Sequence, residues 1–103
     1  MHIKFNNTYL EKLFDGLQVS GKPRYSDEVI IKFRKKVVTL HQVENSAALR
    51  HLKSLNFEAL KGDKKGLYSI RVDLKYRLEF YIEKDEIALQ EIVLIEDLSN
   101  HYR

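Results

Sequence analysis

The stretch Gly66-Leu67-Tyr68-Ser69-Ile70-Arg71-Val72-Asp73-Leu74-Lys75-Tyr76-Arg77-Leu78-Glu79-Phe80-Tyr81-Ile82 alternates with the two-residue period of extended chain. Tyr68, Ile70 and Val72 fall on one face and Ser69 and Arg71 on the other, with Leu67 the one apolar member of the second set. After Asp73-Leu74-Lys75 the alternation resumes, with Tyr76, Leu78, Phe80 and Ile82 on one face and Arg77, Glu79 and Tyr81 on the other. Residues opposite one another in an antiparallel pair share a face. Pairing the apolar set that ends at Val72 with the set that starts at Tyr76 therefore predicts a hairpin with a three-residue loop and Arg71 opposite Arg77.

Like charges in that relation destabilise a sheet by a few tenths to ~1 kcal/mol. Two readings follow. The arginines can pair with Glu79 or another carboxylate, or extend into water. Alternatively a polyanion turns the cost into a gain, because two guanidinium forks bind phosphate oxygens and neutralise charge that develops during phosphoryl transfer.

Downstream, Lys84-Asp85-Glu86 reads as a turn leading into an extended Ile87-Ala88-Leu89. The apolar run Ile92-Val93-Leu94-Ile95 then suits a buried central strand or a bulge. Upstream the period is helical. A short strand at Ile3-Lys4-Phe5 precedes a helix whose start carries the Thr8-x-x-Glu11 capping pattern and whose apolar face is Tyr9, Leu10, Leu13, Phe14 and Leu17. After a break at Ser20-Gly21-Lys22-Pro23, Ser26 caps a second helix with Asp27 and Glu28 in its first turn. Val29, Ile30, Phe33, Val37 and Leu40 form its inner stripe, and Lys32, Arg34, Lys35 and Lys36 cover its outer faces. The lysine run reads as a solvated face or, less directly, as a contact to a phosphate backbone. Asn45-Ser46 caps a short turn carrying Ala48, Leu49, Leu52 and Leu55, and Phe57 to Leu60 reads as extended. Helices followed by a meander predict an α+β fold, with the N-terminal helices packed on one face of a mainly antiparallel sheet of four to five strands. The other sheet face is left for function.

At 103 residues, 44% hydrophobic and 32% charged, the chain has the size and composition of one globular domain, expected to span residues 1–103. It has no cysteine, so disulfides, thiolate metal sites and cysteine nucleophiles are excluded. No apolar run approaches a membrane span and no signal-like core opens the chain, so the expected location is the cytoplasm, with no membrane partner. Net charge is only +3, but it is segregated. Lys61 to Arg77 holds six basic residues against Asp63 and Asp73, and Glu83 to Asp97 holds six acids against Lys84. Such segregation marks either solvated faces or an anion-binding surface. His41 and His51 lack partners at metal-ligand spacing, and neither a metal nor another cofactor is expected. Gly62-Asp63-Lys64-Lys65-Gly66 lacks the spacing of a phosphate loop and reads as a basic turn able to touch a phosphate backbone.

The stretch from Leu60 to Val72, Leu-Lys-Gly-Asp-Lys-Lys-Gly-Leu-Tyr-Ser-Ile-Arg-Val, followed by Tyr76-Arg77-Leu78-Glu79-Phe80, resembles the signature of HigB-type toxins of the RelE superfamily, L-K-G-D-x-K-G-x-(Y/W)-S-I-R-V and then aromatic-R-(I/L)-x-F. The resemblance implies a RelE-like fold and the toxin of a type II toxin–antitoxin system. It further implies a metal-independent endoribonuclease that cleaves mRNA, typically on the ribosome, and is silenced by a helix-turn-helix antitoxin of the HigA type. In that chemistry the ribose 2′-hydroxyl attacks the adjacent phosphate, leaving a cyclic phosphate and a 5′-hydroxyl. Arg71 and Arg77 correspond to ligands of the scissile phosphate, and Lys61 to a basic position near the substrate, with Lys64 and Lys65 beside it on the basic turn.

Two departures from the family pattern bear on proton transfer. Relatives commonly end the last strand in Asp-Tyr-His, whereas this chain reads Asp97-Leu98-Ser99-Asn100-His101-Tyr102. The resemblance makes His101 the acid or base, helped by Tyr102 and Asp97. Many relatives also carry histidine two positions before the leucine of L-K-G, where this chain has Glu58. Either Glu58 substitutes as a carboxylate base or activity is reduced. The competing functions are a ParE-like toxin that inhibits DNA gyrase by protein binding, and an inactive module that binds RNA or antitoxin.

Overall fold

The computed structural model describes residues 1–100. Its elements are β1 (His2–Phe5), α1 (Thr8–Asp15), α2 (Asp27–Gln42), α3 (Ser46–Leu49), β2 (Glu58–Ala59), β3 (Tyr68–Arg71), β4 (Tyr76–Asp85) and β5 (Gln90–Asn100), with 3-10 turns at Lys53–Leu55 and Gly62–Lys64. The five strands lie in the order β1-β5-β4-β3-β2. β1 runs parallel to β5 and every other pair is antiparallel. No helix among the described residues is long and apolar enough to cross a membrane.

The β3–β4 hairpin has the register its alternation predicts, with Ile70 opposite Leu78 and Arg71 opposite Arg77. Its loop is closed by Asp73, whose Oδ1 accepts from the backbone N–H groups of Lys75 at 2.8 Å and Tyr76 at 2.7 Å. A short acidic side chain that turns back on its own backbone stabilises a tight turn in this way. The helices cover one face of the sheet. Leu10 and Leu13 of α1 and Val29, Phe33, Val37 and Leu40 of α2 pack in one core with Ile70, Leu78, Phe80, Val93, Ile95 and Leu98. Each such side chain withdrawn from water contributes about 1.5–3 kcal/mol.

Ser26 caps α2, its Oγ accepting from the Val29 N–H at 3.2 Å. The far end of α2 is closed by the Met1 ammonium, which donates to the carbonyls of Leu40, His41 and Val43. A cation there meets the negative end of the helix dipole. At α1 the cap is Asn7, one residue earlier than the Thr8–Glu11 pattern predicts, with Asn7 Oδ1 accepting from Leu10 N–H at 3.0 Å. Gly16, at φ +77°, ends that helix. Leu17 therefore leaves the apolar face assigned to it and is exposed.

The second hairpin also departs from expectation. β4 runs on to Asp85, whose Oδ1 accepts from the N–H groups of Ile87 and Ala88 at 3.0 Å each, and Leu89 adopts φ +55°. Ile87-Ala88-Leu89 is thus the turn and not a strand, and its Ile87 and Leu89 side chains stand in solvent.

Past that turn, the Ile92–Ile95 run is interior strand, and a bulge follows it at Glu96. β5 is bonded on both sides, and the register jumps from Glu79↔Asp97 to Phe80↔Ile95, leaving Glu96 as the extra residue of a bulge. Before the bulge Val93 and Ile95 point into the core, and after it Leu98 does. One inserted residue has reversed the strand's parity. Asp97 and Ser99 are thereby placed opposite Glu79 and Arg77.

Candidate functional site

The open sheet face carries Ser69 and Arg71 from β3, Arg77, Glu79 and Tyr81 from β4, and Asp97 and Ser99 from β5. Beneath it, Phe57, Tyr68 and Phe80 stack at centroid distances of 5.4–6.5 Å, which stiffens the part of the sheet that holds the arginines.

The two arginines differ in how they are held. Arg77 is fixed: its Nε donates to Ser69 Oγ at 2.9 Å and its Nη2 to the Asn56 carbonyl at 2.6 Å. Asn56 presents that carbonyl from a left-handed conformation, φ +48°, which asparagine tolerates better than most residues. Glu58 Oε2 lies 3.8 Å from Arg77 Nη2. Burial pushes the Arg77 guanidinium below its usual pKa, with Arg71 adding to the fall while Glu58 and Glu79 oppose it. An arginine nonetheless stays charged at neutral pH. Arg71, across the pair, is exposed and has no hydrogen-bond or ion-pair partner among the described residues. The face thus joins a rigid guanidinium to a free one, with a half-exposed carboxylate beside the rigid one. Such a set can bind a phosphate and receive a proton next to it.

Lys64 was expected to face RNA. Its Nζ instead donates to both carboxylate oxygens of Glu79, at 2.8 and 3.1 Å. Glu79 is only 1% exposed and also accepts from Ser99 Oγ at 2.7 Å. Lys64 therefore neutralises a carboxylate buried on the same face as the arginines. Lys61 and Lys65, at the two ends of the turn, are exposed and unpaired among the described residues. The arginines stand opposite one another as the alternation predicts, whereas the sequence assigned Lys64 no internal partner.

Asp97 stands opposite Glu79, yet its Oδ1 accepts from its neighbour's N–H, that of Leu98, at 2.9 Å. Its charge is felt by Tyr25, whose hydroxyl donates to the Leu98 carbonyl at 2.7 Å. Burial first, and Asp97 second, push the Tyr25 phenol up to about 12. Among the described residues Asp97 forms no ion pair with either arginine. His101 and Tyr102 lie outside the described residues. His41 Nδ1 sits 3.1 Å from the Met1 carbonyl, away from this face. No three His, Cys, Asp or Glu side chains among the described residues group as metal ligands.

Sequence reasoning missed Ser69, Asn56, Glu79 and Ser99 as parts of the site. Ser69 and Glu79 share parity with Arg71 and Arg77, so the alternation already placed them on the face. Ser99 was hidden by the bulge. Asn56 contributes a backbone carbonyl, which no side-chain pattern announces.

The family model for HigB-like toxins, described as the RelE-like toxin of the type II toxin–antitoxin system HigB, matches residues 3–93. No curated protein matches the chain. Among solved structures, a YoeB/ParE toxin from Agrobacterium tumefaciens is similar with a TM-score of 0.60 at 14% identity, over 99% of this chain and 100% of its own. YafQ from E. coli, solved as a histidine-to-glutamine mutant, is similar with a TM-score of 0.53 at 14% identity, over 96% of this chain and 91% of its own. At that identity these two bear on the fold alone, and the α+β architecture with a mostly antiparallel five-stranded sheet agrees with them.

Proposed function

Because the chain belongs to the HigB-like toxins, the RelE-like toxins of type II toxin–antitoxin systems, we propose that it is a metal-independent endoribonuclease that cleaves mRNA, on the ribosome, at the Arg71–Arg77 pair. Membership in a type II system implies a protein antitoxin, which we take to be a helix-turn-helix protein of the HigA type. The observation that carries the reading is the opposition of a fixed, largely buried arginine and an exposed, unpartnered one on the sheet face turned away from the helices.

In this mechanism Arg77 fixes one non-bridging oxygen of the scissile phosphate and Arg71 swings onto the other. The 2′-oxygen bonds to phosphorus while the bond to the 5′-oxygen breaks. Glu58, next to Arg77, takes the 2′-hydroxyl proton, and His101 supplies one to the departing 5′-oxygen, with Tyr102 and Asp97 assisting. The products are a 2′,3′-cyclic phosphate and a 5′-hydroxyl. Guanidinium groups aimed at the charge on the pentavalent phosphorus stabilise the transition state more than the ground state. Lys61 and Lys65 steer the strand electrostatically. Residues 1–103 act as one toxin domain.

Inducing the chain in growing cells and mapping mRNA 5′ ends tests this. The expected result is new ends within coding regions that disappear with Arg71→Ala. Intact mRNA together with accumulating DNA breaks would favour gyrase inhibition instead.

A further inference from the structure

We propose that Tyr81 is the stacking platform for an RNA base about two nucleotides from the scissile phosphate, and that the substrate track on this face ends there. This inference rests on the endoribonuclease reading above. Tyr81 shares with Arg77 and Glu79 the face of β4 turned away from the helices, and it is 37% exposed. It lies four positions along the strand from Arg77, about 13 Å at the usual rise per residue. Roughly two nucleotides of extended single strand span that distance.

Three observations single out this tyrosine. First, its ring is unused. The Tyr9 ring packs against Arg24 and Tyr25, Tyr25 bonds Leu98, Tyr68 stacks on Phe57, and Tyr76 packs edge-on to Tyr25. Among the described residues Tyr81 alone of the tyrosines has no ring or hydroxyl partner. Second, the chain adjoins one edge of the ring with a residue that has no side chain. The basic turn ends beside it at Gly66, at φ +99°, where even a Cβ would stand 3.8 Å from Tyr81 Cε1. Across the sheet the row continues through Leu94 to Lys4, which is exposed and unpaired among the described residues.

Third, charge sets the limit of the track. Along β4 from Arg77 to Tyr81 the one carboxylate is Glu79, and Lys64 covers it; of the neighbouring carboxylates, Glu58 lies beside Arg77 and Asp97 accepts from the Leu98 N–H. Beyond Tyr81 the same strand presents Glu83, exposed and opposite Ile92. Phosphates are attracted as far as Lys65 and Lys4 and repelled past Glu83, so the position at the boundary suits a base's uncharged face. Stacking on an aromatic accepts any base, because every base has a π-face.

The test measures cleavage of ribosome-bound mRNA by wild type, Tyr81→Ala and Tyr81→Phe, using RNA that is intact or abasic at the second nucleotide on either side of the cut. Tyr81→Ala is expected to lower cleavage efficiency on intact RNA about tenfold, and Tyr81→Phe to stay within roughly twofold of wild type. One of the two abasic substrates should lower the wild-type rate by the same factor and lower the alanine variant no further. Wild-type activity in Tyr81→Ala, or a loss that persists undiminished on both abasic substrates, overturns the inference while leaving the nuclease reading intact. Wild type that cleaves no substrate overturns both.

Discussion

Arg77→Ala is expected to lower the single-turnover rate of mRNA cleavage by about 10²–10³-fold, the usual loss when one preorganised charge-stabilising donor is removed. Arg77 earns this expectation by being held in place before substrate arrives. Its bonds to Ser69 Oγ and the Asn56 carbonyl leave the guanidinium no reorganisation to undergo as charge develops on the phosphate. Arg77→Lys should recover only a small part of the loss, since one ammonium cannot keep both of those bonds and also offer a fork to phosphate. Thermal unfolding supplies the control: removing Arg77 also removes the like-charge opposition to Arg71, so the fold should persist. Near-wild-type cleavage by Arg77→Ala would place the chemistry elsewhere.

The second large effect concerns stability. Lys64→Met is expected to destabilise the protein by about 1–3 kcal/mol, because it strips the cation from a carboxylate that remains buried. The upper end of the range for broken buried pairs does not apply, since the Lys64 side chain is 43% exposed and water screens it in part. Glu79→Gln should cost less, its amide still offering an oxygen to Lys64 and Ser99. The double variant Lys64→Met, Glu79→Met should recover much of the single lysine loss, as replacing a buried pair with apolar side chains of similar volume often does. Urea unfolding of the four proteins gives the coupling directly. A Lys64→Met protein of full stability but weakened RNA binding would return Lys64 to the role its sequence position suggested.

Much of this site was legible in the residues from Gly66 to Ile82. A period of two fixes which side chains share a face, and the loop length fixes which residues oppose, so Arg71↔Arg77 followed without coordinates. The second helix was equally plain because Ser26, Asp27 and Glu28 mark its start with independent signals. Where single side chains redirect the backbone, periodicity fails. Asp85 closes the β4–β5 turn from its own side chain, so apolar residues that look like a strand become the turn. Asn7 takes the cap that Thr8 and Glu11 spell out one residue later. The parallel pairing of β1 with β5 joins the two ends of the chain, a relation that no local pattern encodes. The Lys64–Glu79 pair spans fifteen residues and depends on how the basic turn folds over the face, so composition showed a cation there but not its partner.

The most direct measurement is the end chemistry of mRNA cut by the purified toxin on ribosomes, with and without a single 2′-deoxy substitution at the scissile nucleotide. Attack by the 2′-hydroxyl at the Arg71–Arg77 pair predicts fragments with a 5′-hydroxyl and a 2′,3′-cyclic phosphate, and no cleavage at the deoxy position. Cleavage of the deoxy-substituted mRNA at the same place and rate, or fragments bearing a 5′-phosphate, would contradict it.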